Sequence, residues 1–168
     1  MSRTIHEVME TLKSLGSESR RKTNMKNGVG ENQFGVLMGP MRALAKEIGI
    51  DHDLAMDLWK TGNTDAMLLS CMTMDASQLS PNQAEAMITP LTYSQLIDEF
   101  SFTALPLAPW AADKMQEWMN SSHPTLGRVG SCSSTRSCKK RSCRWKSTAF
   151  LSGSKKKRRM LRSSSNGP

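Results

Sequence analysis

The chain has 168 residues, room for one domain or for one domain and a tail, and carries a formal net charge of +8. That charge is unevenly placed: residues 1–127 hold ten Lys/Arg against fifteen Asp/Glu, whereas residues 128–168 hold thirteen Lys/Arg and no acid. The basic balance therefore describes the tail and not the body, no apolar run approaches the roughly 18 residues of a membrane span, and the N-terminus lacks a signal-peptide core, which leaves an intracellular protein as the expectation.

The body reads as a succession of short helices with no convincing strand. Thr4 and Glu7 form a possible capping box, Ile5, Val8, Met9, Leu12 and Leu15 recur at three- and four-residue steps, and Gly16 supplies a stop. Ser17 can cap a second, basic helix reaching Gly28, with Arg20, Arg21, Lys22 and Lys26 as the only basic face of the body. Gly28, Gly30 and Gly35 then mark an irregular loop. A third helix is expected from Pro40 to Gly49, and a fourth, capped by Asp51 or Asp53, to Gly62. A fifth covers about 65–74, and Ser80-Pro81 opens a sixth that ends near Ile88. Two more follow at 92–102 and 108–120, separated by Pro106 and Pro109. Helices this short bury their faces by stacking in pairs as an α-solenoid or by closing a bundle, and periodicity alone does not choose.

After Gly127 the periodicity dissolves: eleven of the last 41 residues are Ser, and basic clusters stand at 139–141 and 155–159. Cys132, Cys138 and Cys143 are spaced by six and five residues, His6, His52 and His123 are scattered, and no C-x-x-C pair occurs, so zinc binding is not expected. Cys71 lies in an apolar stretch and reads as a buried side chain. Trp59, Trp110 and Trp118 stand at helical spacing among aliphatics and read as packing residues. The glycine-rich loop lacks the Gly-Lys-Ser/Thr ending and the preceding strand of a phosphate-binding loop, so its glycines read as shaping a turn between helices.

Three stretches carry a family pattern. The first is Phe34-Gly35-Val36-Leu37-Met38-Gly39 leading into Met41-Arg42-Ala43-Leu44-Ala45-Lys46, and the second is Leu58-Trp59-Lys60-Thr61-Gly62-Asn63 followed by Asp65. The third is Tyr93-Ser94-Gln95-Leu96-Ile97-Asp98-Glu99, with Glu117-Trp118 further on. Together they resemble the DNA alkylation repair family, the AlkD-like glycosylases built of HEAT-like repeats. The resemblance covers most of residues 1–128 and implies an all-α, HEAT-like solenoid of stacked antiparallel helix pairs. It also implies a monomer that cradles alkylated duplex DNA and excises positively charged alkylated purines without metal or cofactor.

The resemblance places the family's catalytic aspartate at Asp98 and its DNA-contacting arginine at Arg128, opening a helix start that reads Arg128-Val129-Gly130. A fixed anion favours an oxocarbenium-like transition state, and a cationic base is drawn to an aromatic face. Where the family has a tryptophan this chain has Ser94, with Tyr93 beside it as the candidate substrate contact. Read from the residues alone, Asp98 serves equally well as a solvated helix residue. The four basic residues of the second helix are candidate phosphate contacts or a solvated face.

Residues 128–168 admit two readings. Either the family's helices continue in another reading frame, since most Ser and all Cys codons shifted by one base become apolar codons, or the basic run at 155–159 is a genuine nuclear-targeting or nucleic-acid-binding tail. On the first reading the cradle is incomplete and the chain a weak or inactive glycosylase. On the second, a non-enzymatic helical module binds DNA or protein. The compartment follows: cytoplasm and nucleoid in a bacterium, or a nucleus if the tail is genuine.

Overall fold

A computed structural model of the chain describes residues 3–134. Among these the elements are helices α1 (Ile5–Ser14), α2 (Glu18–Lys26), α3 (Met38–Ile48), α4 (His52–Lys60), α5 (Thr64–Thr73), α6 (Pro81–Ile88), α7 (Ser94–Glu99), α8 (Ala111–Met119) and α9 (Pro124–Ser134). No strand occurs among the described residues; the backbone makes one isolated antiparallel bridge, Gly16 to Val36.

The helix starts follow from their caps. Thr4 and Ser80 head full capping boxes with Glu7 and Gln83, and Ser17, Asp51 and Asn63 cap α2, α4 and α5. Of the two candidate caps for α4, Asp51 takes the role, its carboxylate accepting from the Leu54 N–H at 3.1 Å. Helix α3 begins at Met38, two residues before Pro40, because a proline within the first turn displaces no intrahelical bond. Helix α7 is shorter than its apolar pattern: a π-helical turn over Phe100–Ala104 and a 3-10 turn over Leu105–Leu107 carry the chain from Glu99 to the next loop. The π turn keeps Phe100 fully buried, edge-on to Trp59 with ring centroids 5.6 Å apart.

Helices α4 and α5, and α8 and α9, pack as consecutive pairs, while α3, α5, α7 and α9 lie side by side as a row. This is the HEAT-like arrangement of stacked helix pairs that the resemblance implies. One apolar core runs through it, from Val8 and Leu12 through Leu58, Leu69 and Ile88 to Trp118 and Val129. The tryptophans are packing residues, as their spacing indicates. Trp118 is buried, meets Trp110 edge-on and donates its indole N–H to Glu85, and Trp110 donates to the Leu79 carbonyl.

The two loop motifs meet each other. The Asp65 carboxylate, at the N-terminus of α5, accepts the backbone N–H groups of Phe34, Gly35 and Val36 at 2.6, 2.9 and 3.1 Å. Asn63 accepts from its own helix and donates to Asn32, and Asn32 in turn donates to the Thr61 carbonyl. A single buried acid thus fixes the loop whose glycines shape the turn. Gly35 is required there: its φ is +77°, and a Cβ would stand 2.5 Å from the Ser17 carbonyl oxygen and 2.7 Å from the Arg21 nitrogen.

The boundary that composition sets at residue 127 falls inside α9. Residues 128–134 continue that helix, and Arg128 lies in its second turn. Val129 is fully buried, and a Cβ on Gly130 would meet the Met119 nitrogen at 2.3 Å and the Met115 carbonyl oxygen at 2.6 Å, so α8 and α9 touch backbone to backbone at that glycine. The remaining tail, with Cys138, Cys143 and the basic run at 155–159, falls outside the described residues.

Candidate DNA-contacting site

Helix α7 carries two consecutive acids. Successive residues of a helix point about 100° apart, so Asp98 and Glu99 face different neighbours. Asp98 turns to α9, where its Oδ1 accepts from Arg128 Nε and Nη2 at 3.1 and 2.9 Å and its Oδ2 accepts from Nη2 at 3.0 Å. The fold thus brings together the two residues that the resemblance singles out, 30 positions apart. Both stay open to solvent, with 36% of the Asp98 side chain and 45% of the Arg128 side chain exposed. An ion pair this exposed contributes little to stability.

Glu99 turns the other way, towards α3. Its side chain is only 12% exposed, and its Oε2 lies 3.9 Å from Nη2 of Arg42, whose own side chain is 66% exposed. Burial pushes the Glu99 carboxyl above its ordinary value, and the Arg42 charge opposes that rise. Neither residue stands out in the sequence as a candidate, because 57 positions separate them; the only local signal is the second acid on a very short helix.

Tyr93 and Ser94 lie at the start of α7. Ser94 is exposed, and Tyr93 is half-buried with its hydroxyl donating to Gln95 Oε1 at 2.6 Å. Burial raises the Tyr93 pKa, the nearby Arg20 charge counters it, and Asp65 adds to it. At 3.6 residues per turn, Arg20 and Lys22 point about 200° apart, so the four basic residues form no single face. Arg21 is drawn onto its own surroundings, 3.7 Å from Glu18 and donating to the Glu31 carbonyl at 3.3 Å, while Lys22 and Lys26 are exposed on another side.

Cys132 sits one turn beyond Arg128. Burial first, then the Asp98 charge, push its thiol up, with Arg128 opposing, which keeps it in the protonated, less nucleophilic form. Cys71 is buried in the core, as its apolar setting indicates. Among the described residues no three His, Cys, Asp or Glu side chains stand close enough to share a metal ion. No helix there is long and apolar enough to cross a membrane.

Residues 8–158 match the family described as DNA alkylation repair enzyme. Among solved structures, the chain superposes with a TM-score of 0.71 and 31% identity on a member of "a new family of proteins related to the HEAT-like repeat DNA glycosylases with affinity for branched DNA structures". The match covers 79% of this chain and 56% of the other, so the chain spans little more than half the length of that relative. No curated protein matches.

Proposed function

The chain belongs to the DNA alkylation repair enzyme family, and from that premise we propose that it binds DNA across the open face of α7 and α9. There the Asp98–Arg128 pair cuts the N-glycosidic bond of positively charged alkylated purines. The observation that carries this reading is the pair itself, a carboxylate held by a fork of guanidinium donors on an exposed face where stability gains little from it.

The chemistry is sparing. As the bond between the sugar C1′ and the base nitrogen breaks, its electron pair stays on the base and neutralises the charge of the alkylated ring. Positive charge develops on the sugar. Asp98, fixed by Arg128, supplies the anion beside that charge and accepts a hydrogen bond from the water that adds to C1′, the released proton passing to solvent. Arg128, exposed on its outer side, is placed to meet a backbone phosphate.

A second reading is favoured by the start of α7, where the exposed Ser94 offers no aromatic face and the Tyr93 hydroxyl is tied to Gln95. On this reading the same face binds DNA without excising a base. Affinity for branched DNA, as described for the structural relative, then belongs to this chain as well.

Single-turnover release of methylated purines by the wild-type chain and by Asp98→Asn separates the two. Excision requires measurable wild-type release and a fall of about 100-fold or more in the variant, with DNA affinity retained. Absence of wild-type release, together with tighter binding of a junction than of a linear duplex, establishes the second reading in its place.

A further inference from the structure

Two arginines from separate helices meet the consecutive acids of α7: Arg42 of α3 lies beside Glu99, and Arg128 of α9 holds Asp98. Helix α7 is six residues long, which at 1.5 Å per residue is about 9 Å. The two cationic groups are therefore held at one short segment of the row.

The Arg42–Glu99 pair is lopsided. Its carboxylate is nearly buried and its guanidinium is mostly in solvent. At 3.9 Å the contact is an ion pair and lies beyond hydrogen-bonding distance. The donors of Arg42 are thus directed at solvent while its charge is held over α7. A phosphate arriving from solvent can take two of those donors at once, a stronger engagement than Glu99 provides. We propose that Arg42 is a second phosphate-binding arginine of this face, and that Glu99 holds its guanidinium beside α7 until a DNA phosphate takes its place. This rests on the reading that DNA lies across α7 and α9, and adds to it a contact beside the neighbouring acid of α7.

The test is the salt dependence of duplex binding by the full chain. The probe is an undamaged duplex of about 20 base pairs, on which each phosphate contact contributes about one to the slope of log affinity against log salt. Arg42→Gln is expected to lower that slope by about one and to weaken binding at low salt several-fold. Arg42→Lys, which keeps the charge, retains the slope. Glu99→Gln, which releases Arg42, binds more tightly with the slope unchanged. Lys60→Gln, on α4 and paired with Asp57 at 2.9 Å, serves as the control and leaves binding as it is. If a folded Arg42→Gln variant keeps the wild-type slope, the Arg42 proposal is wrong and the α7–α9 reading stands. If the wild-type chain shows no salt-dependent duplex binding, the α7–α9 reading fails and the Arg42 contact fails with it.

Discussion

Two glycines three residues apart in α9 should respond to the same substitution with opposite signs. A Cβ on Gly130 would stand 2.3 Å from the Met119 nitrogen, 2.6 Å from the Met115 carbonyl oxygen and 2.7 Å from the Met119 Cα. All three are backbone atoms of α8, so no rotamer change relieves the clash, and ordinary contact demands that the two helices part by about 1 Å. Overpacking of this kind costs about 1–3 kcal/mol, and more where backbone must move, while Ala in place of Gly returns at most about 1 kcal/mol of helix propensity. A net loss of about 2 kcal/mol or more is expected, a fall in Tm of roughly 6–12 °C for a body of this size. Gly127 differs: its Cβ would meet nothing nearer than the Ser121 carbonyl oxygen at 3.6 Å, an ordinary contact. Gly127→Ala should therefore leave stability unchanged or raise it by up to about 1 kcal/mol. Thermal unfolding followed by far-UV circular dichroism checks both. If Gly130→Ala melts with or above the wild type, the close approach of α8 and α9 is wrong, and with it the placement of Arg128 against Asp98.

Asp65→Ala should cost about 3 kcal/mol or more, because three backbone N–H groups lose a charged acceptor in a buried setting; limited proteolysis should then cut within 28–36, and an uncut loop would contradict the anchoring role of this acid. Trp118→Ala should cost about 3–5 kcal/mol, read from denaturant unfolding, since a fully buried ring and its hydrogen bond to Glu85 go together. Glu99 should leave a pH signature. Its carboxyl is raised above the ordinary 4.5 by burial, so its favourable share of stability is complete below that ordinary value and is lost as pH rises through the raised one. The difference in Tm between Glu99→Gln and the wild type should accordingly grow in favour of the variant as pH rises above the ordinary carboxylate range, and a difference independent of pH would show that Glu99 is not held in a desolvating site.

The fold was largely legible because helix ends are written locally. Thr4 and Glu7 sit within one turn of each other and read as a capping box that the structure finds, and the helix opened by Ser80-Pro81 begins there, with Gln83 completing a second box. Helix α9 escaped detection because Gly127, Gly130 and the serines around them read as helix breakers. Their tolerance comes from α8, whose backbone needs the space that a missing side chain leaves. The Asp98–Arg128 pair was reachable through family likeness alone, since nothing in spacing relates residues on α7 and α9. Arg42 with Glu99, and Asp65 with the loop at 34–36, were hidden for the same reason: each contact joins segments about 30 or more positions apart. The basic residues of α2 are a cluster in sequence that the helix spreads around its axis, with Arg21 turned to Glu18 and the Glu31 carbonyl.

The central claim is that DNA lies against α7 and α9, and contact mapping tests it most directly. A photoreactive benzophenone side chain placed at the exposed Ser94 is expected to cross-link to bound duplex or junction DNA, and the same group at Lys60 on α4 is not. Cross-linking from Lys60 with none from Ser94 would put the DNA against α4 instead of α7 and remove the functional roles proposed for Asp98, Arg128 and Arg42.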